Sequence, residues 1–96
     1  MRIESEKVLE RKFNEAIKKK GGWSLKMLSN YVTGLPDRVC LMPGGKVFFA
    51  EIKTTGKKPT KIQVLIHKKL TELGFEVLII QSSEEIEYYE PLIKNL

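Results

Sequence analysis

Between Gly34 and Lys53 the chain has two apolar runs hinged on a short glycine-rich turn, and this pattern constrains the fold more than any other. The runs are Arg38-Val39-Cys40-Leu41-Met42 and Val47-Phe48-Phe49-Ala50-Glu51-Ile52, separated by Pro43-Gly44-Gly45-Lys46. Glycine supplies positive φ and proline a fixed φ, so the hinge predicts the loop of an antiparallel hairpin. Closing it on a Met42–Val47 pair sets Arg38 opposite Glu51 and Asp37 opposite Ile52. Opposed residues have Cβ atoms only about 5 Å apart, so Asp37 and Glu51 are near neighbours even if the register is off by one. Alternation then places Glu51 and Lys53 on one face and Ile52 on the other, toward a core. Two carboxylates at that range repel unless a cation sits between them, and Mg²⁺ commonly takes one or two carboxylates plus waters. Glu-X-Lys alone is an ordinary solvated strand end. Joined to Pro36-Asp37 by a hairpin of suitable length, it points to a metal site.

The remaining segments supply the walls. Residues 4 to about 20 read as a helix capped by Ser5, with Leu9, Phe13, Ala16 and Ile17 as its apolar stripe and Gly21-Gly22 as its stop. Glu10 lies about 20° beyond Ile17 at the margin of that stripe, either facing water or leaning over the site as a third carboxylate, with Glu6 as the alternative. Trp23 to Leu28 predicts a short edge strand that carries Lys26, and 29–34 reads as a loop. After the basic loop Thr54-Thr55-Gly56-Lys57-Lys58-Pro59, Thr60 and Gln63 form a capping box. The helix they open runs from about Lys61 to Leu73, with Ile62, Leu65, Ile66, Leu70 and Leu73 expected toward the sheet. Its N–H groups, with Lys57, Lys58 and Lys61, can receive a phosphate. His67, the sole histidine, reads first as a plain helix residue beside Lys68 and Lys69, with catalytic or DNA-contacting duty as the lesser alternative. Residues 75–80 predict a buried central parallel strand completing a right-handed crossover. A last helix follows over 84–96, with Ile86, Tyr89, Leu92, Ile93 and Leu96 as apolar positions and a kink or break at Pro91. The order α-β-β-β-α-β-α makes an α/β chain with a mixed sheet flanked by helices, one domain over residues 1–96.

Composition narrows the class further. The chain is 42% hydrophobic and 30% charged, with no apolar run long enough to span a bilayer and no apolar leader at its N-terminus. An intracellular, non-secreted protein is expected, and the single cysteine, Cys40, reads as a small buried hydrophobe. Net charge is +5, and the acidic residues Glu84, Glu85, Glu87 and Glu90 concentrate near the C-terminus, so the body is more basic still. A basic body suits a polyanionic partner. One histidine and one cysteine disfavour a zinc hydrolase or a thiol enzyme.

The pattern resembles the PD-(D/E)XK nuclease superfamily, and in detail its VRR-NUC branch. The residues that carry the resemblance are Gly21-Gly22 with Lys26, Gly34-Leu35-Pro36-Asp37-Arg38, Leu41-Met42-Pro43-Gly44-Gly45, Glu51-Ile52-Lys53 and Gln63. Phe13, Ile17 and Gly21, spaced three, seven and eleven residues from Glu10, also resemble the family's first helix. The resemblance spans about Glu6 to Gln81 and implies a restriction-endonuclease-like core. It further implies a Mg²⁺- or Mn²⁺-dependent DNA endonuclease whose ion is held by Asp37, Glu51, the main-chain carbonyl of Ile52, and Glu10. Lys53 and Gln63 would join the catalytic set, and Lys26, Lys57, Lys58 and Lys61 would contact DNA. Short stand-alone members, bacterial or viral, resemble Holliday-junction resolvases, which implies branched DNA, a homodimer, a bacterial or virus-infected cytoplasm, and no membrane or small-molecule cofactor. A flap, nicking or restriction-like endonuclease, or a non-catalytic DNA-binding module, are the alternatives.

Overall fold

The structure is a computed structural model that describes residues 3–28 and 31–95, with side chains described up to Tyr89. Its elements are α1 (Glu6–Lys19), β1 (Trp23–Lys26), β2 (Arg38–Met42), β3 (Lys46–Ile52), α2 (Lys61–Glu72), β4 (Glu76–Ile80) and α3 (Ser83–Asn95). The order matches the expected one. The sheet runs β1-β2-β3-β4, with the first three strands antiparallel and β4 parallel to β3 through α2.

Strand alternation divides the two faces. Cys40 and Met42 from β2, Phe48, Ala50 and Ile52 from β3, and Leu78 and Ile80 from β4 meet Leu9, Phe13 and Ile17 of α1 and Ile86 of α3 in one core. Leu9, Phe13 and Ile17 are fully buried, and Phe13 meets Phe48 edge-on at 6.5 Å between ring centroids. Cys40 lies in this core, and burial pushes its thiol up to about 12, which makes it the inert hydrophobe expected. Phe49 and Glu51 point to the opposite face, which α2 covers.

Three local expectations are corrected. The hairpin closes on Met42–Lys46, with Pro43-Gly44-Gly45 as a three-residue loop, so Arg38 pairs with Ala50, one step from the expected register. Gly44 and Gly45 both take positive φ (84° and 77°), a conformation that L side chains resist and that tightens the loop by one residue. β4 is an edge strand, not a central one. Helices covering both faces make its apolar run look the same as a central strand's. Finally, α2 does not turn its aliphatic stripe inward: Leu65 and Leu73 are 65% and 69% exposed, Ile62 is exposed, and Ile66 and Leu70 are only half-buried. The backbone of α3 continues as helix through Pro91, while Leu92 and Ile93 have no described side chains and Leu96 lies outside the described residues. Among the described residues no helix is long and apolar enough to cross a membrane.

A polar knot ties the N-terminal segment to the site end of the sheet. Glu4 accepts from the Ser83 main-chain N–H (2.8 Å), the Ser83 hydroxyl and Lys12 Nζ (2.9 Å), while its carbonyl takes the Thr54 hydroxyl (2.7 Å). The Ser83 hydroxyl and N–H, then Lys12, hold the Glu4 carboxyl down at about 2 against an ordinary 4.5. A lowered folded-state pKa gives stability that is complete above the unfolded value and is lost as pH falls through 4.5 toward 2. Glu4→Gln should therefore lower the urea midpoint at pH 6, by clearly less at pH 3, and close on wild type only toward pH 2. A midpoint difference that is the same at all three pH values would rule out ionisation of Glu4 as the cause.

Candidate active site

The segment that brings Asp37 into place is held at both ends. Before it, Gly34 takes φ +91° against α2, where a Cβ would lie 3.0 Å from the Ile62 carbonyl oxygen, so only glycine fits without moving backbone. Beside it, the Asp37 carbonyl accepts from the Met27 N–H at 2.8 Å, which carries the sheet pairing one residue past β1. Asp37 Oδ2 then accepts from the Ile52 N–H at 2.7 Å and crosses directly to β3. The one-residue shift in register leaves the expected convergence intact.

Glu51 is 1% exposed and lies within hydrogen-bonding range of the Asp37 carboxyl. Burial first, then Asp37 as hydrogen-bond partner and neighbouring charge, pushes its carboxyl up to about 8 from 4.5, with Glu6 adding to the rise and Lys53 opposing it. Two acids so close cannot both ionise unaided; one retains a proton. Gln63 does two jobs: its Oε1 accepts from the Thr60 N–H at 2.8 Å in the capping box, and its Nε2 donates to Glu51 Oε2 at 3.3 Å. Lys53 follows on the same face as Glu51, and its N–H donates to the Ile80 carbonyl at 2.9 Å, so the strand frame extends to it.

Glu10 is not brought to this pair. It accepts from Arg38 Nε at 2.8 Å and faces Arg38 Nη2 at 2.7 Å, a half-buried pair locking α1 to β2. The reason is alternation: Arg38 follows Asp37, so it points to the α1 face and takes the glutamate waiting there. The α1 carboxylate on the Glu51 side is Glu6, which also accepts from the Thr54 N–H at 3.4 Å. Lys26, Lys57, Lys58 and Lys61 are all exposed, the last three around the start of α2.

The sequence reads His67 first as a plain helix residue and only second as a catalytic or DNA-contacting one; it is 8% exposed and faces Glu51, Nε2 to Oε1, at 3.5 Å. Burial and Lys53 lower its pKa while Asp37 raises it, and the net fall keeps the ring neutral near pH 7. The signal available in the sequence was its spacing: His67 lies one turn on from Gln63, on the same helix edge.

The donor set at this sheet end is hard oxygen, two carboxylates beside the Ile52 backbone. Among the described residues no three His, Cys, Asp or Glu side chains gather into a metal-ligating group. A pair of carboxylates completed by waters is nonetheless what Mg²⁺ commonly takes, and a divalent cation would relieve the repulsion that now holds a proton on the pair. The residues present fit such an ion.

No protein-family model matches the chain. A search of curated proteins finds "Putative nuclease p44" of Acyrthosiphon pisum secondary endosymbiont phage 1, 36% identical over 84 residues that cover 88% of this chain and 90% of that protein. Among solved structures, a VRR_NUC domain superposes with a TM-score of 0.84 at 22% identity, covering 90% of this chain and 95% of that one. The mixed sheet, with its three helices, is therefore a restriction-endonuclease-like fold. The chain belongs to the same family as that phage protein, and its fold is that of a VRR_NUC domain.

Proposed function

We propose that this protein is a metal-dependent DNA endonuclease of PD-(D/E)XK type, structure-specific and resolvase-like, that acts as a homodimer on branched DNA. The observation that carries the reading is the convergence of Asp37 and Glu51 at one end of the sheet, with Lys53 following on the same strand face. The relative named as a nuclease and the VRR_NUC fold support it. Asp37, Glu51 and the Ile52 carbonyl would hold Mg²⁺ or Mn²⁺, with Glu6 taking the place first expected for Glu10. When bound, such an ion draws charge from the scissile phosphate and acidifies water at neutral pH.

The chain's own residues do the rest. Lys53 offers a cation and three N–H donors where negative charge develops on the phosphate. Gln63 keeps one Glu51 oxygen fixed. The exposed Lys26, Lys57, Lys58 and Lys61 attract the DNA backbone, which supplies affinity without reading sequence. The protein would work wherever branched DNA forms, in a bacterial or virus-infected cell.

One such site cuts one strand, so paired cuts at a four-way junction need two copies related by a twofold axis. Trp23, 64% exposed on the edge strand, and the bare aliphatic edge of α2 are the surfaces a second copy would cover. The test is cleavage of a labelled four-way junction, a flap and a matched linear duplex, each with and without Mg²⁺ or Mn²⁺. Metal-dependent cutting of the junction, at least about tenfold faster than of duplex, is expected, in line with readout of shape. Equal cutting of all three would remove the junction preference. Binding without any cutting would leave a non-catalytic module.

A further inference from the structure

On α2, the side chain turned furthest inward is not an aliphatic one. Among its described residues only His67 is buried, while Ile62, Val64 and Leu65 stand exposed. Its Nε2 faces Glu51 Oε1 across 3.5 Å, both atoms are sealed from solvent, and neither has a hydrogen-bond partner. The other carboxylate oxygen, Oε2, already takes the Gln63 amide. Gln63 and His67 are four residues apart, so they lie one above the other on the helix and reach the same carboxylate.

We propose that His67 is a positioning residue, donating a hydrogen bond from Nε2 to Glu51 Oε1, so that α2 grips both carboxylate oxygens and leaves Glu51 aimed at Asp37 and its cation. The proposal rests on the metal-site reading above. A neutral imidazole has one N–H and one bare nitrogen. A bare Nε2 would set its lone pair against a carboxylate lone pair in a place with no water to separate them. Nor does a bare Nε2 serve as a ligand here. An ion between two solvent-sealed atoms would have no room for the waters a hard divalent cation keeps, or for a phosphate. The tautomer with its proton on Nε2 satisfies donor and acceptor together. A small approach of the ring, well within side-chain motion, closes the bond. Partners that orient a ligating carboxylate in this way are a regular part of metal sites.

The roll of α2 follows from the same contact. A helix that turns Gln63 and His67 toward Glu51 must carry Ile62, Leu65 and Leu73 around toward solvent, as observed.

The chain's single histidine makes the test direct. In the full ¹⁵N-labelled protein, a long-range ¹H–¹⁵N correlation of the imidazole shows which nitrogen carries the proton. The expected result is a proton on Nε2, before and after addition of MgCl₂. A proton on Nδ1 with a bare Nε2 would overturn the proposal. The second arm is calorimetric binding of Mg²⁺ and Mn²⁺ without DNA. His67→Ala should weaken binding by about tenfold or more, whereas His67→Gln, whose amide N–H reaches as far as Nε2, should stay within about threefold of wild type. Wild-type affinity in His67→Ala would end the positioning role while leaving the metal site standing. Failure of the wild type itself to bind either ion would overturn the metal-site reading, and the positioning role with it. Neither readout depends on cleavage. The tautomer is read on the wild type, so a misfolded variant cannot obscure it.

Discussion

Glu51→Gln is expected to make the metal-free protein more stable at pH 8 while ending its cleavage of DNA. The Glu51 carboxyl is raised from 4.5 to about 8, so folding favours its neutral form. That contribution is complete below pH 4.5 and is lost as pH rises toward 8, where ionising a buried carboxyl beside Asp37 works against the fold. At pH 8 the penalty is on the order of a few kcal/mol, which corresponds to several degrees or more in Tm for a domain of this size. A glutamine keeps the shape, carries no charge, and its one amide oxygen can still accept from Gln63. The measurement is thermal unfolding of both proteins in EDTA at pH 5 and pH 8. The variant should gain at pH 8 and not at pH 5, and equal Tm values at pH 8 would show that Glu51 costs the fold nothing. The same linkage makes metal binding compete with a proton, so wild-type affinity for Mg²⁺ should climb with pH up to about 8 and flatten beyond it.

Asp37→Asn and Lys53→Ala should each reduce single-turnover cleavage by about 10²-fold or more, but for different reasons. Asp37 is one of two carboxylates in the donor set, so its amide should also weaken Mn²⁺ binding by at least about tenfold. In the role proposed for it, Lys53 would act on developing charge without being a ligand, so its alanine variant should bind Mn²⁺ as well as wild type or better, a nearby positive charge having been removed. Calorimetry alongside cleavage separates the two. Loss of Mn²⁺ binding in Lys53→Ala would contradict the role given to that lysine, and unimpaired cleavage by Asp37→Asn would remove Asp37 from the site.

The hairpin and its carboxylate pair were legible in the sequence because the pairing geometry tolerates error. Shifting the loop from four residues to three moved every partner by one, which carries the register on from Arg38–Ala50 to Asp37 opposite Glu51 and keeps the two acids neighbours. Helix orientation was less legible. The aliphatic stripe of α2 spans a wide arc, and periodicity does not say which edge of an arc meets the sheet. Here the polar edge does, because Glu51, buried on that face, needs donors that Gln63 supplies and His67 is placed to supply. Glu10 was misplaced for a related reason. Its angle on α1 was read correctly as marginal, but the partner that decides its direction is Arg38, far along the chain and visible only once the strand faces are assigned. Gln63 shows the opposite case. The capping box expected of it and the contact to Glu51 coexist, because one amide serves both.

The hairpin tip also gives the experimenter a handle. Pro43-Gly44-Gly45 lies at the far end of β2 from Asp37, and at about 3.4 Å per residue the length of that strand separates a label at the tip from the chemistry. Cys40 is the chain's one thiol, and it is buried and poorly ionised. A cysteine placed at exposed position 43 would therefore be the sole site open to a maleimide dye. One fluorophore per chain, fixed away from the proposed site, would allow DNA capture and release to be followed on single molecules without altering any residue proposed for it.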